Sequence, residues 1–316
     1  MKNLRKLFAP LSIVLLSVVV FTSCKKDDPM AAPKDITGVA IADPQFSTLV
    51  AALTKANLVT TLQGTGPFTV FAPNNAAFTK AGITSLDNQS VAALTPILTS
   101  HVLSGTVKAA DVKSGAVPTV NTANPIYLSK NADGVFINGN IKVIATDVSA
   151  SNGVVHVIDN VIIPPTRNIV TEAVDGPDKA LFTELVELVT LAGLGTTLST
   201  ATANGYTVFA PTNTAFQQLY AGVGTSKATL TAVANRDLLR RVLLYHVIPL
   251  RVFSTDLPNV TGEVATASTN TADKLTFDLA GGAKVKGKTS GNSSIIKANV
   301  LTTNGVIHAI DKVLIP

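Results

Sequence analysis

The chain has one cysteine, four histidines and no tryptophan in 316 residues. With Cys24 alone there is no internal disulfide, no cysteine-rich zinc site and no thiol pair for redox work. Charge is scarce too. Asp, Glu, Lys and Arg make up 14% against 46% hydrophobic residues, which excludes a disordered polyelectrolyte and leaves ample apolar surface for a core. No Gly-x-Ser-x-Gly elbow, phosphate-cradling Gly-x-x-x-x-Gly-Lys loop or Asp-x-Asp-x-Asp-Gly calcium loop occurs. The nearest approach, Gly222 to Lys227, lies between helical stretches and reads as a plain loop. No constellation names a reaction or a cofactor, so the expectation is a non-enzymatic protein with neither metal nor cofactor.

The formal charge of +5 overstates the basic character. Lys2, Arg5 and Lys6 precede an apolar stretch from Leu11 to Phe21 and then Thr22-Ser23-Cys24, the order of a secretory signal peptide. The apolar run is about half the ~20 residues that a spanning helix needs. Without that leader, 22 basic residues face 20 acidic ones, and they are scattered rather than striped, which argues against a nucleic-acid partner. Phe21-Thr22-Ser23-Cys24 resembles the bacterial lipobox, which implies that residues 1–23 are removed and that Cys24 is acylated. Lys25-Lys26-Asp27-Asp28 resembles the charged export tags of surface lipoproteins. The expected location is therefore the bacterial outer membrane, on its cell-surface or periplasmic face, with residues 24–36 as lipidated cysteine and flexible tether.

A length of 316 residues suits about two domains, and the sequence repeats itself accordingly. Phe46, Leu49, Val50 and Leu53 recur as Phe182, Leu185, Val186 and Val189, each quartet on one helix face. Phe68 to Phe78, containing Thr-Val-Phe-Ala-Pro, recurs from Tyr206 to Phe216 at an offset of 138. The apolar run reads as a strand ended by Pro73 or Pro211, and the following Asn or Thr as a helix cap. Leu98-Thr-Ser-His101 recurs as Leu243-Leu-Tyr-His246 at 145, and Asn152 to Pro164 as Asn304 to Pro316 at 152. An offset that grows in two steps of seven is what loop insertions between fixed blocks produce. Turns at Asp133-Gly134 and Gly281-Gly282 suit hairpins. The repeats run over 37–165 and 166–316, and the class is α+β.

Together these blocks resemble the fasciclin domain family. The resemblance implies two tandem domains, each a wedge of β-strands packed against several helices, and a role in adhesion or matrix-type binding to a protein or glycan ligand at the cell surface. The alternative is a structural or accessory component of a cell-envelope complex. The family's Tyr-His pair is intact as Tyr245-His246, whereas the first copy has Ser100-His101. An Asp-Ile pair associated with binding in animal members corresponds to Asp147-Val148 and to Asn299-Val300. Tyr245, His246, Asp147 and Val148 are thus candidate binding residues.

All four histidines lie inside repeated blocks. His308 shares a strand face with Val306 and Ile310, so the expected role of His101, His156, His246 and His308 is structural, with ring nitrogens bonded to backbone. Asp159 and Asp311, three residues after a histidine in a strand, cannot form a dyad with it. They read as anchors that accept backbone N–H bonds and pin a turn.

Overall fold

The computed structural model describes residues 33–316 apart from positions 223 and 225. The expected leader, the lipidation residue Cys24 and most of the tether lie outside the described residues. Asp35 and Ile36, assigned to the tether above, belong to the folded unit. Asp35 caps a helix, Ile36–Ala42, by accepting the Gly38 N–H at 2.7 Å, and Ile36 is buried. The second copy opens the same way, with Asn168 capping Ile169–Asp175. Among the described residues no single helix is long and apolar enough to cross a membrane.

In the first copy β1 (Phe68–Pro73), β2 (Val102–Ser104), β3 (Gly115–Val117), β4 (Ile126–Asn131), β5 (Gly134–Ile137), β6 (Ile141–Ala150) and β7 (Gly153–Ile158) form one sheet in the order β2-β1-β7-β6-β5-β4-β3. The second copy repeats this with β8 (Tyr206–Pro211), β9 (Val247–Ile248), β10 (Val264–Ala265), β11 (Lys274–Asp278), β12 (Lys284–Gly287), β13 (Gly291–Thr302) and β14 (Gly305–Ile310). Its order, β9-β8-β14-β13-β12-β11-β10, is the same topology. The block that begins at Phe68 or Tyr206 and the last repeated block lie side by side in each sheet, where β1 runs parallel to β7 and β8 to β14. The long β6 and β13 each carry two register shifts, and these bulges bend the sheet into a wedge.

Alternation along the central strands divides each core in two. Val70, Ala72, Val155 and Val157 pack on the helices, among them Ser47–Lys55 and Val91–Thr99, whereas Phe71 and Ile158 turn into the wedge with Leu128, Ile137 and Ile141. Val208, Ala210, Ile307 and Ala309 face the helices of the second copy, and Phe209, Ile310, Leu275 and Val285 fill its wedge.

Polar side chains in the repeated blocks tie the layers together. Asn74 Oδ1 accepts the Ala77 N–H to start helix Asn75–Lys80, as a cap should. Asn75 does something different: its Oδ1 accepts the Thr48 N–H at 3.0 Å, its Nδ2 donates to Pro44 O, and so it caps the neighbouring helix Ser47–Lys55. Asn213 repeats this with Glu184 N–H and Ala180 O for helix Thr183–Leu191. Asn152, buried at the β6–β7 turn, accepts the Ile36 N–H and donates to Leu62 O and Gly64 O, and Asn304 does the same for Ile169, Leu198 and Thr200.

Candidate functional site

Each histidine has both ring nitrogens bonded to main chain. His101 Nδ1–H donates to Ile97 O at 2.8 Å, one helical turn back, and its Nε2 accepts the Ile162 N–H at 3.0 Å. His246 repeats this with Val242 O and Leu314 N–H. The helix before β2 or β9 is thereby latched to the segment after β7 or β14. The strand histidines use the opposite tautomer. His156 Nε2–H donates to Val107 O and its Nδ1 accepts the Asp147 N–H, while His308 pairs with Val252 O and the Asn299 N–H. His156 stacks on Phe71 and His308 on Phe209, at 5.5 Å between ring centres in both cases. Burial pulls His101, His246 and His308 down to about 4, against a weaker opposing pull from the carbonyl each one donates to. These rings are neutral struts. Among the described residues no group of three or more His, Cys, Asp or Glu is placed to hold a metal ion.

Asp159 and Asp311 stand just past the ends of β7 and β14. Asp159 Oδ1 accepts the Lys142 N–H at 2.7 Å, and Asp311 Oδ1 accepts the Ser294 N–H at 2.7 Å, so each holds a long strand to the end of its neighbour. Tyr245 and His246 are not surface residues, in contrast to the binding role expected for them. Tyr245 is fully buried, its hydroxyl donating to Lys274 O and accepting from Lys288 N–H, both at 2.8 Å. It clamps β11 to the end of β12 and has no polar atom left for a ligand.

Asp147 and Val148 are exposed on β6. Asp147 sits in a bulge with φ +60°, a left-handed conformation that Asp tolerates, and its Oδ1 accepts the Ala109 N–H. Asn299 has φ +62° at the matching bulge of β13, yet is buried, because the first copy lies on it. Its Nδ2 is 2.9 Å from Gly139 O and from Asn140 Oδ1, and Asn140 Nδ2 donates back to Asn299 O at 3.0 Å. Two more asparagines cross this seam, Asn131 to Thr255 O and Asn259 to Lys130 O. The Arg251 guanidinium lies 4.3 Å from the centre of the Tyr127 ring, which also meets Phe253 at 5.8 Å. Ser129 Oγ, Arg251 Nε and Thr255 Oγ1 are buried on these same segments without a protein partner. The seam is specific and polar. It admits no side chain at Gly139, whose φ is +72° and where a Cβ would come within 2.7 Å of Asn299 Cγ and 2.8 Å of Phe253 Cβ.

The family model for the Fasciclin domain matches residues 44–164 and 180–316, taking in both repeats. The chain belongs to the fasciclin domain family. A protein of Synechocystis sp. is 44% identical over 134 residues, covering 41% of this chain and 73% of that one. Transforming growth factor-beta-induced protein ig-h3 of Sus scrofa is 30% identical over 266 residues, covering 81% of this chain and 35% of its own. The solved FAS1 domain pair of the insect cell adhesion molecule fasciclin I aligns with a TM-score of 0.44 at 19% identity, over 89% of this chain and 96% of that one.

The two fasciclin domains differ at their contact with each other, and of the residues there only Asn299 was named from sequence, as the counterpart of Asp147. Arg251 and Phe253 stand where the first fasciclin domain has Thr106 and Lys108, because the intervening Val252 and Val107 accept from equivalent histidines. Substitutions of that size just after the repeated His101 and His246 block were the available signal.

Proposed function

We propose that this chain is a non-enzymatic binding lipoprotein of the cell envelope, held to the outer membrane through acylated Cys24 and presenting its fasciclin domains to a protein or glycan at the cell surface. Fasciclin domains occur in adhesion and extracellular proteins, which supports a binding role. The observation that carries the reading is the fate of the motif side chains: the four imidazoles, Tyr245, Asp159 and Asp311 are all committed to main-chain bonds. Chemistry of the acid–base or nucleophilic kind needs a group free to exchange a proton, and the imidazoles and the Tyr245 hydroxyl are not free. Recognition is then left to the rim, where Asp147 and Val148 project from the β6 bulge of the first domain.

The anchor follows from the leader. Each methylene of an acyl chain buried in lipid contributes ~0.8 kcal/mol, and two chains hold stably where one does not. Mass spectrometry of the mature protein is expected to find an acylated Cys24 as its first residue, and Cys24→Ala to move the chain to the soluble fraction. An unmodified Cys24 in membrane-bound protein overturns the anchor.

The full chain in detergent, applied to an array of glycans and matrix proteins, is expected to bind at least one spot, with Asp147→Ala weakening that binding about tenfold. Stoichiometric envelope partners in a pull-down, with a blank array, would favour the accessory-component alternative.

A further inference from the structure

We propose that the outer face of β11 and β12 in the second fasciclin domain is a docking strip for an acidic polysaccharide; this rests on the binding role above and names a ligand class for it. In sequence Lys274, Lys284, Lys286 and Lys288 look like ordinary scattered charges. The pairing register brings them together. Thr276 is opposite Lys286 and Asp278 opposite Lys284, which sets Lys274 across from Lys288. Alternation turns all four lysines to the side away from buried Leu275 and Val285. Lysines two apart on a strand are about 6.6 Å apart along it, and neighbouring strands are about 4.8 Å apart, so the strip is a two-row lattice of cations.

An open trough of about 570 Å³ runs over it, lined by Lys274, Thr276, Lys286 and Lys288 with Thr271 and Glu263 at its side. Two of the lysines are already engaged, Lys274 with Glu263 at 3.0 Å and Lys284 with Asp278 at 3.7 Å. Asp273, below the strip, is buried and bonded to Arg241 and Ser268. Lys286 and Lys288 have no carboxylate within 4.0 Å among the described residues.

The fold does not demand this pattern. Lys286 lies between Thr276 and Asn292 as Phe136 lies between Ser129 and Lys142 in the first domain. There Tyr127, Ser129 and Asn131 on the outer face of β4 meet the other domain, whereas here the same face is open and charged. Tyr245, which replaces Ser100 of the first domain, bonds the main chains of Lys274 and Lys288 and so fixes the row they head. A linear polymer with one anion per sugar matches a periodic strip with threonine hydroxyls alongside. Among the described residues of β11 and β12, no aromatic ring stands on this face to stack a nucleic-acid base and no large apolar side chain to enter a bilayer.

The full chain in detergent would be applied to immobilised alginate and heparin, with dextran as the neutral control. Salt-sensitive retention on at least one polyanion and none on dextran is expected, and the polymer that retains it names the anion as carboxylate or sulfate. The exposed pair Lys286→Ser with Lys288→Ser is expected to weaken binding about tenfold, a few-fold for each ion pair lost, while Lys113→Ser with Lys179→Ser leaves it unchanged. Circular dichroism would verify that both variants stay folded. Equal retention of the first pair, no retention of the parent chain, or tighter binding to single-stranded DNA or phosphatidylglycerol vesicles than to both polysaccharides overturns the proposal. The binding role itself is decided separately, by the array and Asp147→Ala.

Discussion

In each domain the two imidazoles are opposite tautomers, one donating from Nδ1 within a helix and the other from Nε2 across the wedge, and both are closed off from water. At His101, His246 and His308 the neutral ring is the favoured state, since burial disfavours the charge and protonation would replace an accepted N–H bond with a repulsive contact. His101, His246 and His308 titrate at about 4 in the folded chain against ~6.5 unfolded, so the unfolded state takes up protons first as pH drops. Their contribution is complete above about pH 6.5 and is lost on the way down to about 4. At pH 5 each costs about 2 kcal/mol, and the urea midpoint is expected to fall steeply between pH 7 and pH 5. A midpoint flat over that range would contradict the buried-strut account. His156 and His308 were legible in sequence because apolar neighbours at alternate strand positions specify a buried face, whereas His101 and His246 end a helix and owe their burial to the segment that folds over them. Tyr245 was not, since its residue type suits a surface anchor as well as a clamp, and only the position of the Lys288 N–H decides between them.

At the level of elements, the repeated blocks were readable as helix, strand and cap, and the structure adds that their asparagines work at a distance. Asn75 and Asn213 cap a helix other than the one they begin, fastening two helices at a single amide. Asn213→Ala removes two accepted bonds, from the Glu184 N–H and the Thr183 hydroxyl, and one donated bond, and is expected to destabilise the second domain by about 1–2 kcal/mol, read as a lower urea midpoint at unchanged slope. A loss below about 0.5 kcal/mol would mean that water replaces the cap. The opening helix Ile36–Ala42 escaped the sequence reading for a physical reason. Seven residues with Gly38 and two alanines carry no helical period, and its hold comes from Asn152, 116 positions away.

For the whole molecule, tandem duplication and fold were evident from four blocks in order, but the way the copies meet was not. The seam depends on Gly139, Asn140 and Asn299, three small residues whose spacing means nothing until two folded surfaces touch. Gly139→Ala adds a methyl inside the closest approach and about 1–2 kcal/mol of left-handed backbone strain. The expected result is separation of the domains with both still folded: a larger radius of gyration by solution scattering, and calorimetric unfolding that splits into two transitions. One transition at an unchanged radius would show that the seam tolerates the methyl.

The seam joins unlike surfaces, the outer face of β4 from one domain and the 251–259 segment with Asn299 from the next. Head-to-tail contacts of this kind have no intrinsic end and can extend into filaments. Neither domain repeats the other's half of the seam: the first has Thr106 and Lys108 where the second has Arg251 and Phe253, and the second has Lys274 where the first has Tyr127. A unit docked on the outer face of β11 through the same geometry would find Lys274 where the seam has Tyr127, and so no aromatic ring to sit under an arginine.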